Sequence, residues 1–422
     1  MNVKVKIFRR ITIPKLKVSK SSVNNIAVLS LFLLLFVFSF VFYLKGSIIG
    51  HIKYALPILG LVLFAFYYSK KPFPLQRNYV FNFIILYTVI IFFSFIVALF
   101  NLTISARFFA EAIFLLTPLL LLFVLFYFYD PKKKQLYINV IFWGIIIAFF
   151  LLKGKVFLQT ITNPQQLLFS IITSTIKTES GMVSFTMGLF TLYFFIEKSW
   201  KKALIAFVMT VISFKRVALL GVFVAIGFYF IIKILKINVR KYGVAIAALA
   251  SIVNLAFVVL IFLFTNGFFD ELFYEFNTHP NYITQGRYAL YNLFLDEIQL
   301  NPVFGVGLGT VTPTLISAKA HLNNLHSDIF KNFVELGIVT FTIWIFFFYK
   351  LNSISTRSFI LTIYMNVLFL TDNTIVYFDV MFVFFFLASI SYLDKYHQSN
   401  EQKLKFYIFR PEKPDPVICS SS

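Results

Sequence analysis

The sequence predicts an all-α, polytopic integral membrane protein with about 12 transmembrane helices and a large outward-facing loop containing short helices. Three observations support this fold class. The mean hydropathy is +0.85 and only 13% of residues are charged, whereas about a quarter are charged in soluble domains. Apolar runs recur at close to the 20 residues that a span needs. Lys and Arg gather in short loops that separate alternate runs, as they do on the cytoplasmic side of membranes.

The apolar runs fix the order of the predicted spans. They are placed at residues 24–44, 48–68, 79–100, 108–129, 136–152, 181–197, 202–214, 217–235, 243–265, 336–351, 358–372 and 375–393. The weakest pair covers residues 203–235, where only Lys215 and Arg216 interrupt an apolar stretch. One helix of that length would be about 50 Å long, too long for a single crossing without strong tilt. We therefore predict two spans with a tight turn at 213–216.

Charge sets the orientation. If the N-terminus is cytoplasmic, the short basic loops KKPFPLQR, DPKKKQ, EKSWKK and KILKINVRK all fall inside, in agreement with the positive-inside rule. The net charge of +21 then reflects membrane topology and not nucleic-acid binding. Five segments follow from this topology. They are a basic cytoplasmic segment (1–23), nine spans (24–265), an extracytoplasmic loop (266–335), three spans (336–393) and a cytoplasmic tail (394–422).

The long loop holds the polar groups that could carry chemistry. Residues 286–300 show apolar side chains at helical spacing, and Pro302 ends that pattern. The string NPVFGVGLGT follows, and it reads either as a connector or as a loop whose amides approach phosphate oxygens. It lacks the strand, helix and acid that a dinucleotide site requires. Next comes HLNNLHSDIFKNFVELG, in which Asn323 or Asn324 is expected to cap a helix that carries His326.

Candidate site residues come from this loop and from the turn near 215. His321 and His326 are five residues apart and so lie on different faces of a helix, which does not favour zinc; no metal or cofactor is predicted. Arg216, with its neighbour Lys215, and Arg287 would bind a diphosphate, because guanidinium groups bind phosphate oxygens through two parallel hydrogen bonds. A histidine beside them can accept or deliver a proton.

These motifs together resemble a known family. GRYALYNLFLDEIQLNPVFGVGLGT and LHSDIFKNFVELGIVTF, within residues 286–340, are similar to the C-terminal region of the O-antigen polymerase and ligase superfamily. The matching residues are Arg287, the Pro302-x-x-Gly305-x-Gly307 turn, His326, and Glu335 with Gly337. SFKRVALLG resembles the family's upstream arginine site, which corresponds to Arg216, with Gly227 after ten further residues. Ser327 and Asp328 stand where ligases and some polymerases have an Asn.

The resemblance implies a metal-independent, inverting glycosyltransferase that uses a glycan on undecaprenyl diphosphate. Catalytic roles would fall to His326, Arg287 and Arg216, and substrate-binding roles to Lys215, Gly305, Gly307 and Glu335. The expected location is the bacterial cytoplasmic (inner) membrane, with both termini cytoplasmic and the active face extracytoplasmic. Expected partners are the lipid-linked donor and acceptor, the bilayer, and flippase and chain-length-regulator proteins, without nucleic acid.

Three functions stay open at this point. A polymerase of lipid-linked repeat units for O-antigen or capsule is preferred. A ligase would differ in its acceptor alone. A multispan transporter or lipid-linked oligosaccharide flippase would also need many spans, but such proteins usually carry repeat halves and ionisable groups near the membrane midplane.

Overall fold

The computed structural model describes residues 79–127, 133–162, 179–275, 286–320 and 324–390, together with residues 30, 62, 281 and 284. Apart from residues 30 and 62, the first two predicted spans lie outside the described residues, as do the basic N-terminal segment and the tail from 394. Within the described part the chain is helical and contains no strand, so the predicted all-α class is confirmed.

The helices are numbered here along the described chain. They are α1 (Tyr79–Phe100), α2 (Ala106–Tyr127), α3 (Lys134–Ile161), α4 (Gly181–Ile196), α5 (Trp200–Ile212), α6 (Arg216–Ile234), α7 (Gly243–Thr265), α8 (Asp270–Glu275), α9 (Arg287–Asn292), α10 (Leu295–Leu300), α11 (Val311–Ser317), α12 (Asp328–Asn352), α13 (Thr356–Thr371) and α14 (Phe378–Ile390). By length and composition, six of these described helices could cross a membrane: α1, α2, α3, α6, α7 and α12. Helices α4, α13 and α14 are apolar but shorter.

Two helix boundaries near charged residues can be compared with the spans that the sequence predicts. The predicted division of 203–235 into two helices is confirmed, since a turn at residues 213–215 separates α5 from α6. Of these two helices, α6 is a candidate membrane span and α5 is not. The span predicted at 136–152 is too short, because α3 continues to Ile161 through Lys153 and Lys155. Lysine is a good helix former, so these two charges do not end the helix.

The core forms where α4, α6 and α13 meet. Tyr364 of α13 is fully buried, and its hydroxyl donates to the carbonyl of Phe185 in α4 at 3.0 Å. Gly188 and Gly221 make room for its ring, since a Cβ at either position would lie within 3.0 Å of Tyr364 atoms. Small residues that allow close helix approach are typical of packing in membranes.

Paired residues define the two ends of the helical bundle. At one end the Tyr79 hydroxyl donates to the Asn352 side chain, joining the start of α1 to the end of α12. Helix α12 begins at the other end, just after His326. This end of the bundle is called the His326 end. The turn between α5 and α6 also lies at this end, because Lys215 in that turn contacts Asp372 at the end of α13.

The predicted helix at 286–300 is two short helices, α9 and α10, interrupted at residues 293 and 294. Leu290, Tyr291, Phe294 and Ile298 are buried, so these helices are held by packing. Helix α12 breaks at Gly337, where φ is 67° and ψ is 173°. This break lies beside the predicted boundary between loop and membrane span.

Candidate active site

His326 lies in the turn that precedes α12. Ser327 caps that helix, its hydroxyl accepting from the amide of Phe330 at 3.2 Å. The prediction that Asn323 or Asn324 caps a helix carrying His326 is therefore wrong, because Ser327 provides the cap three residues later. His326 has a φ of 54°, in the left-handed region that histidine enters more readily than most residues. Its side chain is 32% exposed and is thus accessible from outside the bundle.

Asp372 connects His326 to the cation between α5 and α6. Its Oδ1 lies 3.8 Å from His326 Nδ1, and its Oδ2 lies 3.1 Å from Lys215 Nζ. The Lys215 ammonium also contacts Glu179 Oε1 at 3.0 Å. Lys215 therefore stands between two carboxylates and next to the histidine.

The electrostatics keep this group charged. Burial alone would raise the pKa of Asp372, but its contacts with His326 and Lys215 lower it to about 2. Burial alone would lower the pKa of Lys215, but Asp372 and Glu179 raise it above its ordinary value. Asp372 is thus a carboxylate and Lys215 an ammonium over the whole physiological pH range.

Asp328 fixes the loop after α13 against the loop before α12. The Oδ2 of its buried side chain accepts from the amides of Thr374 and Ile375 at 2.5 and 2.9 Å. Its own amide donates to the carbonyl of Asp372 at 3.1 Å. Two segments far apart in the chain are therefore tied together on both sides of the His326–Asp372 contact.

The two predicted catalytic arginines lie at the same end. Arg216 is the first residue of α6, directly after Lys215, and is exposed. Arg287 is the first residue of α9 and half-buried. Tyr291, one turn along α9, packs its ring 4.7 Å from that of Phe330 in α12. Burial raises the pKa of Tyr291 to about 12, against smaller opposite effects of nearby Arg287 and Ser327.

Within the glycine loop, defined as residues 302–309, residues 305–309 are buried inside the protein. The amides of Val306 and Gly307 donate to the carbonyls of Val334 and Glu335, and the Leu308 amide donates to Ser94 Oγ. These amides are therefore used within the chain and are not offered to a phosphate. The structure gives Gly305 and Gly307 a packing role, and their predicted contact with substrate stays a prediction.

Glu335 holds this loop in place. It is fully buried, and its Oε1 accepts from the Val311 amide at 3.2 Å. Lys331 forms its close ion pair elsewhere, with Glu111 of α2 at 2.9 Å, and Arg107 contacts the same carboxylate at 2.7 Å. This geometry favours the positioning role for Glu335 over pairing with Lys331.

The sequence did not single out Asp372 or Glu179, and it marked Asp328 only as a departure from the Asn found in related proteins. Asp372 was counted as the last residue of an apolar span. The available signal was a group of polar residues, Thr371, Asp372 and Asn373, at a span end on the predicted outward side. Among the described residues no group of three or more His, Cys, Asp or Glu side chains could hold a metal ion. Metal independence stays an expectation from the resemblance.

Comparison with known proteins agrees with the sequence motifs. Residues 202–345 match the family model Wzy_C, described as O-antigen ligase. That range includes Lys215, Arg216, Arg287, His326 and Glu335. The match supports the O-antigen polymerase and ligase superfamily and a role in polysaccharide assembly at a membrane. No curated protein and no solved structure matches the chain.

Proposed function

We propose, from the match of residues 202–345 to the family model described as O-antigen ligase and from the site around His326, that the chain polymerises oligosaccharide repeat units carried on undecaprenyl diphosphate. The product would be a surface polysaccharide, either O-antigen or capsule. The enzyme would work in the cytoplasmic membrane with its His326 end outside. Flippase and chain-length-regulator proteins are its proposed partners.

The reaction is an inverting glycosyl transfer. A sugar hydroxyl of the acceptor attacks the anomeric carbon of the donor on the face opposite the diphosphate. A new carbon–oxygen bond forms, the bond from that carbon to the diphosphate oxygen breaks, and undecaprenyl diphosphate leaves with the electron pair. The hydroxyl proton passes to His326 and then to solvent, a step of general-base catalysis typically worth about 10²–10⁴-fold in rate.

The observation that carries this proposal is the approach of His326 Nδ1 to Asp372 Oδ1 at 3.8 Å. A carboxylate facing Nδ1 leaves Nε2 for the acceptor hydroxyl and stabilises the imidazolium that forms. Because Lys215 and Asp328 hold Asp372 and its loop, the imidazole would be oriented before substrate arrives.

Arg216 and Arg287 would bind the diphosphate. Their guanidinium groups would stabilise the charge that develops on the leaving oxygen. Lys215 is engaged by Asp372 and Glu179, so its main role in this proposal is to position Asp372, with a weaker direct effect on the diphosphate.

A ligase is the second candidate function, because the matched family is described as O-antigen ligase. It would transfer the glycan to a lipid or wall acceptor by the same chemistry. The transporter class is less favoured, since the buried ion pairs of Glu111 lie near the start of α2, at the His326 end, and not at mid-helix.

Gel analysis of surface polysaccharide from a deletion strain separates these functions. The strain would be complemented with the wild type, His326→Ala, or the control His397→Ala in the predicted tail. Single repeat units on the usual anchor in the deletion and His326→Ala strains support the polymerase. Absent attachment, with polymer retained on undecaprenyl diphosphate, means ligase. An unchanged ladder in both strains contradicts an enzyme of either kind.

A further inference from the structure

The distance of the glycine loop from the end of the bundle opposite His326 can be measured independently along two helices, α1 and α12. Tyr79 and Asn352 share one level at the end opposite His326. Ser94, fifteen residues along α1, accepts from the Leu308 amide at 2.6 Å. Ile338, fourteen residues before Asn352 in α12, donates to the Pro302 carbonyl at 2.9 Å. With a rise of 1.5 Å per residue, the two routes place the loop about 21–23 Å from that level.

This depth is less than the thickness of a bilayer's hydrocarbon core. The hydrocarbon core is about 30 Å thick, and α1, with 22 residues, is about 33 Å long. Helix α1 therefore runs about 9 Å beyond Ser94 before it ends at Phe100. The glycine loop thus lies about 9 Å below the end of α1, a helix long and apolar enough to span the hydrocarbon core.

The backbone of residues 305–308 meets the requirement for such a position. Non-helical backbone is tolerated at membrane depth only when its polar groups bond within the protein. The amides of residues 305–308 all donate to protein acceptors. The carbonyls of residues 302, 303, 305 and 306 all accept, the last two from the side chains of Asn101 and Thr103.

Large apolar side chains just before the loop and in its first residues are exposed. Leu300, Val303 and Phe304 are 78%, 44% and 60% exposed. Their backbone neighbours at the start of the second half of α12, Ile338 and Val339, are each 43% exposed. The exposed apolar surface of α12 therefore continues onto residues 300–304.

We propose that residues 300–304 are a re-entrant segment whose side chains contact bilayer hydrocarbon in the leaflet on the His326 side. The long loop after α7 would then not lie wholly outside the membrane. Its first part would be anchored in the leaflet, and the His326 turn would be held at a defined height above it. This inference does not depend on the reaction that the protein catalyses.

Depth-dependent quenching tests the proposal on the full chain in vesicles. The single cysteine is removed by Cys419→Ser, and Phe304→Cys or Val303→Cys carries an environment-sensitive fluorophore. Val259→Cys on the exposed face of α7 is the lipid control. Asp296→Cys, exposed in the neighbouring helix α10, is the aqueous control and lies on the same side of the membrane in every orientation.

We expect spin-labelled phosphatidylcholine to quench the labels at 303 and 304 as strongly as the label at 259. Before labelling, both thiols should react with a membrane-impermeant maleimide about tenfold more slowly than the thiol at 296, because a thiolate is disfavoured in hydrocarbon. Quenching by iodide equal to that at 296 would overturn the proposal. So would spin-label quenching that appears only after undecaprenyl phosphate is added, since the surface would then hold a polyprenyl chain and not the bilayer.

Discussion

His326 Nδ1 and Asp372 Oδ1 lie 3.8 Å apart, although 46 residues separate them in the chain. The contact depends on Asp328, next but one to His326, which binds the segment after Asp372 through two amides. A histidine with an ionised, buried partner on one ring nitrogen is an arrangement that enzymes use to orient a general base.

Replacing Asp372 by asparagine is expected to lower glycosyl transfer by about 10²-fold or more, because His326 loses the charge that stabilises its protonated form. The folded pKa of about 2 lies below the ordinary value of about 3.9. The ionised carboxylate therefore stabilises the fold above about pH 4, and that stability is lost as the pH falls towards 2. Thermal unfolding and turnover at pH 7 check both effects against Asp296→Asn. Unimpaired turnover in Asp372→Asn would remove Asp372 from the mechanism.

Arg287→Lys is expected to lower turnover by about tenfold or more, because an ammonium cannot make the paired hydrogen bonds of a guanidinium to phosphate. The matched control is Arg240→Lys, the same change at an exposed residue near the opposite end of α6. Rates of undecaprenyl diphosphate release measure both variants. A release rate for Arg287→Lys equal to the rates of Arg240→Lys and the wild type would show that a positive charge alone suffices at position 287.

Glu335→Ala is expected to lower the free energy of unfolding by about 1–3 kcal/mol, because the Val311 amide loses its buried acceptor. Glu335→Gln keeps an acceptor oxygen of similar reach and should leave both fold and turnover close to the wild type. Thermal unfolding in detergent and turnover are measured on both variants. A Gln variant that folds normally but is inactive would assign Glu335 a role in catalysis beyond holding the loop.

Gly305→Ala and Gly337→Ala should each destabilise the fold by on the order of 2–4 kcal/mol, since both sites combine positive φ with overpacking. A Cβ at Gly305 would lie 2.5 Å from the Gly337 amide nitrogen, and a Cβ at Gly337 would lie 2.4 Å from that of Gly305. Gly227→Ala is the control, because nothing lies within 4 Å of its Cβ position. It should be neutral or stabilising by up to about 1 kcal/mol. Equal unfolding temperatures for all three variants would contradict the packing described here.

Local signals in the sequence predicted much of this fold. Apolar length and the charges at 215 and 216 were enough to divide 203–235 into α5 and α6. The group of polar residues around His326 marked the site. Asp372 was missed because only the packing of α12 against α13 brings it to His326. The glycine loop was ambiguous for a similar reason, since one acceptor of its amides, Ser94, is 214 residues from Leu308.

The most direct test of the central claim uses purified protein in vesicles with an undecaprenyl-diphosphate-linked repeat unit as both donor and acceptor. Released undecaprenyl diphosphate and lengthened glycan are measured for the wild type, His326→Ala and His397→Ala. The wild type and His397→Ala should form both products in equal amounts. His326→Ala, though folded and inserted, should be slower by about 10²-fold or more. Normal release by His326→Ala would contradict a catalytic role for the site around His326 and Asp372.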